Sequence, residues 1–481
     1  MTKILVIGTG PLFSPEIRVF SGQSLRTWHF TKPLLNAGHE VRLVVVPTEG
    51  QPPPATTNNE PLIPCYKGTF VYGLVPTNDR QQILATLHDV LRKEPFDCIV
   101  AVNLNAAAIV CRLETILPMW FDLNGHLMGE AQAKCRVYGD DTYLRHFWKR
   151  ERAVLRRGDR FSSVSHKQMY AVLGELGAVG RLNLHTFSHP FVSVVPNAVC
   201  EDFWNTALYP AEKSYRGVVF PMDAFAVLWS GGFNTWTDCR TLAGALSLAM
   251  EQNPRIHFVA TGGAIPSHDE LTYEMFKSEM TKTGFRNRCH LLDWVETREL
   301  FPLYKECDLG INIDSLNYET LFGARNRLTN LMAAGLPVLT TLGTEISEII
   351  DENHIGYTVR IGRVQELADA MLRVAVNPVE RRQIAYRAKT YCLENFTYEA
   401  TTHPLTRWAE KPESAPDNEF KIRHHPGNNQ LNDIASNSLD NEAMWLDRMD
   451  IEELLHNRHD LESIRGKKLF QLYKRFFGKN W

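Results

Sequence analysis

The chain has no cysteine pair at C-x-x-C spacing, and its nine cysteines are scattered over 481 residues without regular intervals. That argues against a zinc site, and an odd count without a secretion signal points to reduced thiols in a cytoplasmic setting. No apolar run approaches the roughly 18–20 residues that a membrane-spanning helix needs. The opening MTKILVIGTG holds a short apolar run that stops at a glycine, which reads as a first strand and not a leader. Neither sign of charge dominates: the formal net charge is −3, which argues against nucleic acid as a partner. Two phosphate-binding loops are also missing. Gly8 and Gly10 have no third glycine at the dinucleotide offset, and the second strand ends in Val46-Pro47 without an acid at its tip. No Gly-Lys-Ser/Thr follows, which excludes a Walker loop.

What is present is an ordinary soluble composition, 44% apolar and 22% charged, long enough for two domains and a tail. Short β-branched runs alternate with amphipathic stretches. The first half reads as strands at Lys3–Ile7, Val41–Val46, Asp97–Val102, Pro118–Leu123, Phe161–Ser165 and Val192–Asn197. Helices are expected at Ser24–Asn36, Asn78–Lys93, Arg145–Arg156 and onward from His166. The PMWFDL strand delivers Asp122, Asn124, Gly125 and His126 to its carboxyl end, the edge where open α/β sheets bind ligands. A polar connector near Asn205–Arg216 leads to a second α/β half. There the strands are Ala226–Trp229, Ile256–Thr261, His290–Leu292, Leu309–Ile313 and Pro337–Thr341. The expected fold class is therefore α/β, with two doubly wound, Rossmann-like domains facing a cleft. They span residues 1–205 and 216–410, followed by a linker at 411–440 and a helical tail at 441–481.

The stretch Glu319–Glu345 organises the second half. It sets a carboxylate, a glycine turn, Arg325 and Arg327 before a helix of small residues that Gly335 ends and a Pro-led buried strand follows. A helix start favours anions and the arginine fork matches phosphate oxygens, so the two arginines are candidate phosphate ligands. The competing reading is a pair of surface arginines at a helix start. Backbone N–H groups at Gly231 and Gly232 could help, or those glycines could serve only the turn. No D-x-D carboxylate pair accompanies this stretch, so no metal and no cofactor are expected. At the far end, Ser463–Trp481 places Leu469, Leu472, Tyr473 and Phe476 at helical spacing among basic residues. That pattern suits an anionic membrane surface, with packing against protein as the alternative.

With these motifs in hand, the chain resembles the GT-B glycosyltransferases, in particular family 4 (group 1). LMAAGLPVLTT is similar to the family's EAMAAGxPVVAT stretch, VVPNAV to its interdomain VIPNGV, DRFSSVSHKQ to its ADxVxxVS helix start, and LLDWVETRELFPLYKECDLGI to its ELxxLYxxAD run. The resemblance covers roughly residues 1–410 and implies GT-B architecture with a donor-binding second domain and an acceptor-binding first domain. It departs from the family at the paired glutamates. The second falls on Asn330, the first has no counterpart without a gap although Glu319 lies slightly upstream, and the usual Arg/Lys pair after the first strand of the second domain is replaced by SGGFNTWTDCR.

The resemblance implies transfer of a sugar from a nucleotide-sugar donor, its substrate, to a glycan or lipid-linked acceptor. Retention and metal independence go with it, and envelope polysaccharide or glycoconjugate synthesis is the expected setting. His126 falls where the family has a histidine near the sugar; with Asp122, which would orient it or act as base, and Glu319 it makes the catalytic set. Each has a structural alternative. The donor set is Gly231, Gly232, Asn234, Trp294, Val295, Arg325, Arg327, Asn330 and Glu345, and the loop at Gly22 is expected to close over the donor phosphates or the acceptor. Two other classes stay open: a nucleotide-sugar epimerase of GT-B architecture, or a non-catalytic GT-B binding or assembly protein. The expected location is the cytoplasm, with the tail on the inner face of the cell membrane.

Overall fold

A computed structural model describes residues 1–10, 21–47, 70–75, 77–199, 214–266 and 268–418. The expected loop at 51–64, most of the 205–216 connector and the 411–440 linker, and the whole 441–481 tail with Ser463–Trp481 lie outside the described residues.

The first lobe is built on seven parallel strands: β1 (Lys3–Thr9), β2 (Glu40–Val46), β3 (Phe70–Leu74), β4 (Cys98–Ala101), β5 (Met119–Asp122), β6 (Arg160–Ser163) and β7 (Val192–Val194). Their order is β3-β2-β1-β4-β5-β6-β7. The second lobe has β8 (Phe225–Ser230), β9 (Ile256–Thr261), β10 (Cys289–Leu291), β11 (Leu309–Asn312), β12 (Val338–Thr341) and β13 (Tyr357–Val359), in the order β10-β9-β8-β11-β12-β13. In both sheets the order reverses once, between β1 and β4 and between β8 and β11. A crevice opens at such a switch point beyond the carboxyl ends of the strands.

The continuous apolar strands follow from burial on both faces. β4, β8 and β9 are buried at every position. Apolar layers cover each face of each sheet, for example Leu5, Ile7, Ile99 and Phe121 on one side of the first and Ile4, Val6, Val100 and Trp120 on the other. The Tyr398–Glu410 helix crosses back to the first lobe. Tyr398, Leu405, Trp408 and Ala409 join the layer of Ile4, Val6 and Trp28, and Thr2 Oγ1 donates to the Ala409 carbonyl at 2.7 Å. A buried Leu side chain alone stabilises by about 1.5–3 kcal/mol, so this return is part of the fold and not a loose strap. The reading of 216–410 as one domain assigns that helix to the second half, but its buried side chains belong to the first lobe's core. Phe70–Leu74 is a strand that the sequence reading leaves unassigned.

The helix start expected at Ser24 lies at Gly22, because Ser21 caps it by accepting the Ser24 N–H. The Asn326–Ala333 helix ends as expected: Gly335 has φ +81, and its N–H and that of Leu336 return to the carbonyls of Met332 and Leu331.

Candidate active site

The two arginines of the organising stretch have different surroundings. Arg325 is buried between two carboxylates. Its Nε donates to Asp314 Oδ2 at 2.9 Å, and Nη1 and Nη2 donate to Glu319 Oε1 and Oε2 at 2.9 and 2.7 Å. Nη1 also reaches the Ala324 carbonyl and Nη2 the Thr320 hydroxyl. Burial works against this charge, but Asp314 and Glu319 outweigh it and hold the guanidinium above its ordinary range. Every N–H of the fork is engaged, so the expected phosphate role of Arg325 gives way to neutralising two buried acids. Glu319, expected as catalytic, is the other half of that pair, with both oxygens on Arg325.

Arg327 is different. It lies over the indole of Trp229, 4.1 Å from the ring centroid, and its Nη2 donates to the Gly232 carbonyl at 2.6 Å. Nη1 is buried and has no hydrogen-bond partner among the described residues. Burial pulls its pKa down to about 10, with Asp314 acting in the opposite sense, so it stays charged at neutral pH. A buried cation with an unsatisfied N–H carries a desolvation penalty that an anion would relieve.

The turn that meets Arg327 is Ser230–Gly231–Gly232, at the carboxyl end of β8 and therefore at the second lobe's switch point. Gly231 has φ +85, and its N–H donates to the Thr261 carbonyl at 2.6 Å, so this amide is not left for a phosphate as expected. Glycine is needed opposite, at Gly262, where a Cβ would stand 2.7 Å from the Gly231 carbonyl carbon. Asn234 donates its backbone N–H to Thr237 Oγ1 within the same loop. At the end of β10, Val295 is buried, while the Trp294 indole is 43% exposed and anchored by Nε1 to the Ala264 carbonyl at 2.9 Å. Its exposed face is a ready stacking surface.

The first lobe comes close to this wall. A Cβ at Gly22 would lie 3.5 Å from Asn326 Nδ2, and one at Gly129 would lie 3.0 Å from the Glu319 backbone nitrogen. Ser165 Oγ donates to the Phe322 carbonyl at 2.8 Å. Glu345 accepts both the backbone N–H and Nδ1 of His166, at 2.8 and 2.9 Å, so it grips the opposite lobe at the start of the His166–Ala178 helix. Asn330 lines a small cavity with Arg26, His29, Asn197, Asn326 and Tyr398, behind the arginine helix.

On the first lobe, the expected pairing of Asp122 with His126 is absent. Asp122 is fully buried and its oxygens take Arg26 Nη2 and Nε at 2.8 and 3.0 Å and the Ser162 hydroxyl. Arg26 then reaches the carbonyls of Val195 and Pro196 and the Asn197 side chain, tying the strand end to the interlobe crossover. His126 caps the Leu127–Tyr138 helix, with Nδ1 accepting the Gly129 N–H at 3.0 Å and Nε2 meeting Glu175 Oε1 at 3.1 Å. With both ring nitrogens engaged, His126 positions the helix against the Phe322 ring, 4.7 Å away, and is not free to move a proton as expected. The sequence reading missed Arg26, Glu130, Glu151 and Glu175. A basic residue inside an amphipathic helix and acids on helix faces look like solvated side chains until the fold brings their partners together.

Comparisons with known proteins agree with this architecture. A family model described as a glycosyl transferase 4-like domain matches residues 21–187, and one described as glycosyl transferases group 1 matches 224–377. A search of curated proteins finds no match. Solved structures are similar over the whole GT-B body. A sucrose-phosphate synthase from Thermosynechococcus elongatus has a TM-score of 0.61 at 15% identity, covering 85% of this chain and 99% of that one. HepE from Anabaena, solved with UDP and glucose, gives 0.58 at 16% identity, covering 85% and 100%. WaaG, a glycosyltransferase involved in lipopolysaccharide biosynthesis, gives 0.55 at 17% identity, also covering 85% and 100%. Among the described residues no helix is long and apolar enough to cross a membrane. With the group 1 model on the lobe that holds Arg327 and the 4-like model on the other lobe, the chain belongs to the group 1, family 4-type glycosyltransferases of GT-B fold.

Proposed function

We propose that this glycosyltransferase takes a sugar from a nucleotide-sugar donor and moves it to a glycan or lipid-linked acceptor, with retention at the anomeric carbon and without a metal ion. The observation that carries the reading is the buried Arg327 guanidinium, with Nη1 unpaired, beside the Gly231–Gly232 turn at the second lobe's switch point. When the glycosidic bond to phosphate breaks, negative charge grows on the departing diphosphate. A preorganised cation in a dry site stabilises that charge more in the transition state than in the ground state. The Asn326–Ala333 helix start adds its dipole at the same place. The exposed face of Trp294 supports a stacking contact with the base. The acceptor enters against the first lobe. The absence of a D-x-D pair from the sequence supports a reaction without metal.

An envelope-glycan or glycoconjugate role draws support from the Ser463–Trp481 sequence, whose basic and aromatic residues suit an anionic membrane surface. The test is incubation of the full chain with radiolabelled UDP-, GDP- and ADP-sugars. Hydrolysis or transfer of one donor is the expected result. An isomerised donor would replace the proposal with an epimerase, and no binding or turnover of any donor would leave a non-catalytic protein.

A further inference from the structure

Arg327 is held sparingly for a buried charge. Its only hydrogen bond among the described residues runs from Nη2 to the Gly232 carbonyl, and one bond does not fix a long flexible side chain. The rest of its support is aromatic. The guanidinium lies over the Trp229 indole, 4.1 Å from the ring centroid. Trp229 stacks on Phe233, with centroids 4.7 Å apart and planes 17° from parallel, and Phe233 stacks on Phe276 at 4.8 Å and 26°. All three rings are fully buried. Trp229 comes from β8, Phe233 from the loop just past the Gly231–Gly232 turn, and Phe276 from the Leu271–Lys282 helix. The ring under the guanidinium is therefore fixed from the second lobe's core.

Tryptophan has the strongest cation-attracting face, and the attraction grows where water is excluded. The Trp229 Nε1 is itself buried without a hydrogen-bond partner among the described residues, so what the indole contributes here is its face and not its N–H. Arg325 makes the informative contrast. It too lies over an indole, that of Trp236 at 5.3 Å, but its fork is fixed by Asp314 and Glu319. The Ser230–Gly232 turn also has no cation of its own, since no lysine or arginine stands between Phe225 and Cys239. Positive charge reaches this turn only as far as Arg327 is kept against it.

We propose that Trp229 is a positioning residue for the donor phosphates: its indole face holds the Arg327 guanidinium at the Gly231–Gly232 turn, which leaves Nη1 available to the diphosphate. The inference rests on the glycosyltransferase reading above. A cation already in place needs no further ordering when the anion arrives or its charge grows. A lysine could not replace Arg327, because an ammonium has neither the plane that stacks nor the fork.

The test titrates UDP, GDP and ADP, and their nucleosides, into the full chain by calorimetry and reads the ratio of nucleoside Kd to diphosphate Kd. Trp229→Met, which fills the space without a ring face, should cut the wild-type ratio about tenfold, and Trp229→Phe, which keeps a smaller face, about threefold. Nucleoside affinity should stay unchanged in both, whereas a merely structural role would weaken nucleoside and diphosphate alike. Added to Arg327→Ala, Trp229→Phe should change the ratio no further. A companion measurement leaves the packing intact: fluorinated tryptophan at position 229 alone keeps the shape and drains charge from the face, so the ratio should fall with each added fluorine. A ratio indifferent to fluorination beside a full wild-type preference would overturn this inference alone. So would nucleoside affinity lost together with the diphosphate's in Trp229→Met, or a further loss on top of Arg327→Ala. Wild-type protein with no preference for any diphosphate would instead overturn the donor-phosphate reading of Arg327, and the role of Trp229 with it.

Discussion

On the second lobe, Arg325 and Arg327 stand two residues apart in buried surroundings, one closed by two carboxylates and the other with a nitrogen left unpaired. On the first lobe, Glu130, Glu151 and Glu175 crowd near His126 with acids in excess. The difference lies in how many counter-charges the fold brings within reach of each group. A saturated charge, such as Arg325, Glu319 or Asp122, holds structure together. An unsaturated one is left to bind a ligand or keep a proton.

Removing the saturated arginine should have the largest effect. Arg325→Ala leaves Asp314 and Glu319 buried without their cation and should destabilise the fold by about 3–5 kcal/mol in urea denaturation. A loss under about 1 kcal/mol would erase the distinction between the two arginines. Next, Arg327→Ala should cost at least about 100-fold in kcat/KM, ~2.7 kcal/mol of transition-state stabilisation. Its stability change should stay near the ~1 kcal/mol of the single bond to Gly232. If Arg327→Ala unfolds the protein as Arg325→Ala does, the comparison fails.

The acid-rich wall predicts a pH dependence. Glu130 and Glu151 have folded-state values above the unfolded carboxyl value, so the folded state binds more protons. Stability present below about pH 4.5 should be lost as the pH rises toward 8. Allowing for the partial exposure of Glu130, a carboxyl pKa raised by only 1 corresponds to about 1.4 kcal/mol. The urea midpoint should therefore fall between pH 5 and 8, and Glu130→Gln with Glu151→Gln should flatten that slope. Equal slopes would show that the wall holds no extra protons. The smallest effect belongs to Trp294→Ala, with KM for the donor raised three- to tenfold, about 0.7–1.4 kcal/mol, and an unchanged melting temperature. An unaltered KM would remove the indole from the base site.

Much of this could be read from the chain alone, because strands buried on both faces and helix-ending glycines leave local patterns. The βαβ opening, the Gly335 helix end and the crossing at VVPNAV are of that kind. Partner choice is not local. Asp122 finds Arg26 across 96 residues, and His126 finds Glu175 across 49, so an acid four residues before a histidine looked like its partner until the sheet separated them. Arg325 and Arg327 were equivalent by spacing. Only the fold placed Asp314 and Glu319 around one and the indole of Trp229 under the other. The raised carboxyl groups left no sequence signal, since a proton held by crowding depends on burial and on three helices meeting.

The most direct test is isothermal titration of UDP, GDP and ADP, and of the matching nucleosides, into wild type and Arg327→Ala. One diphosphate should bind wild type roughly 100-fold more tightly than its nucleoside, and Arg327→Ala should abolish that difference while leaving nucleoside binding intact. Equal diphosphate affinity in the two proteins would contradict the assignment of Arg327 to the donor phosphates.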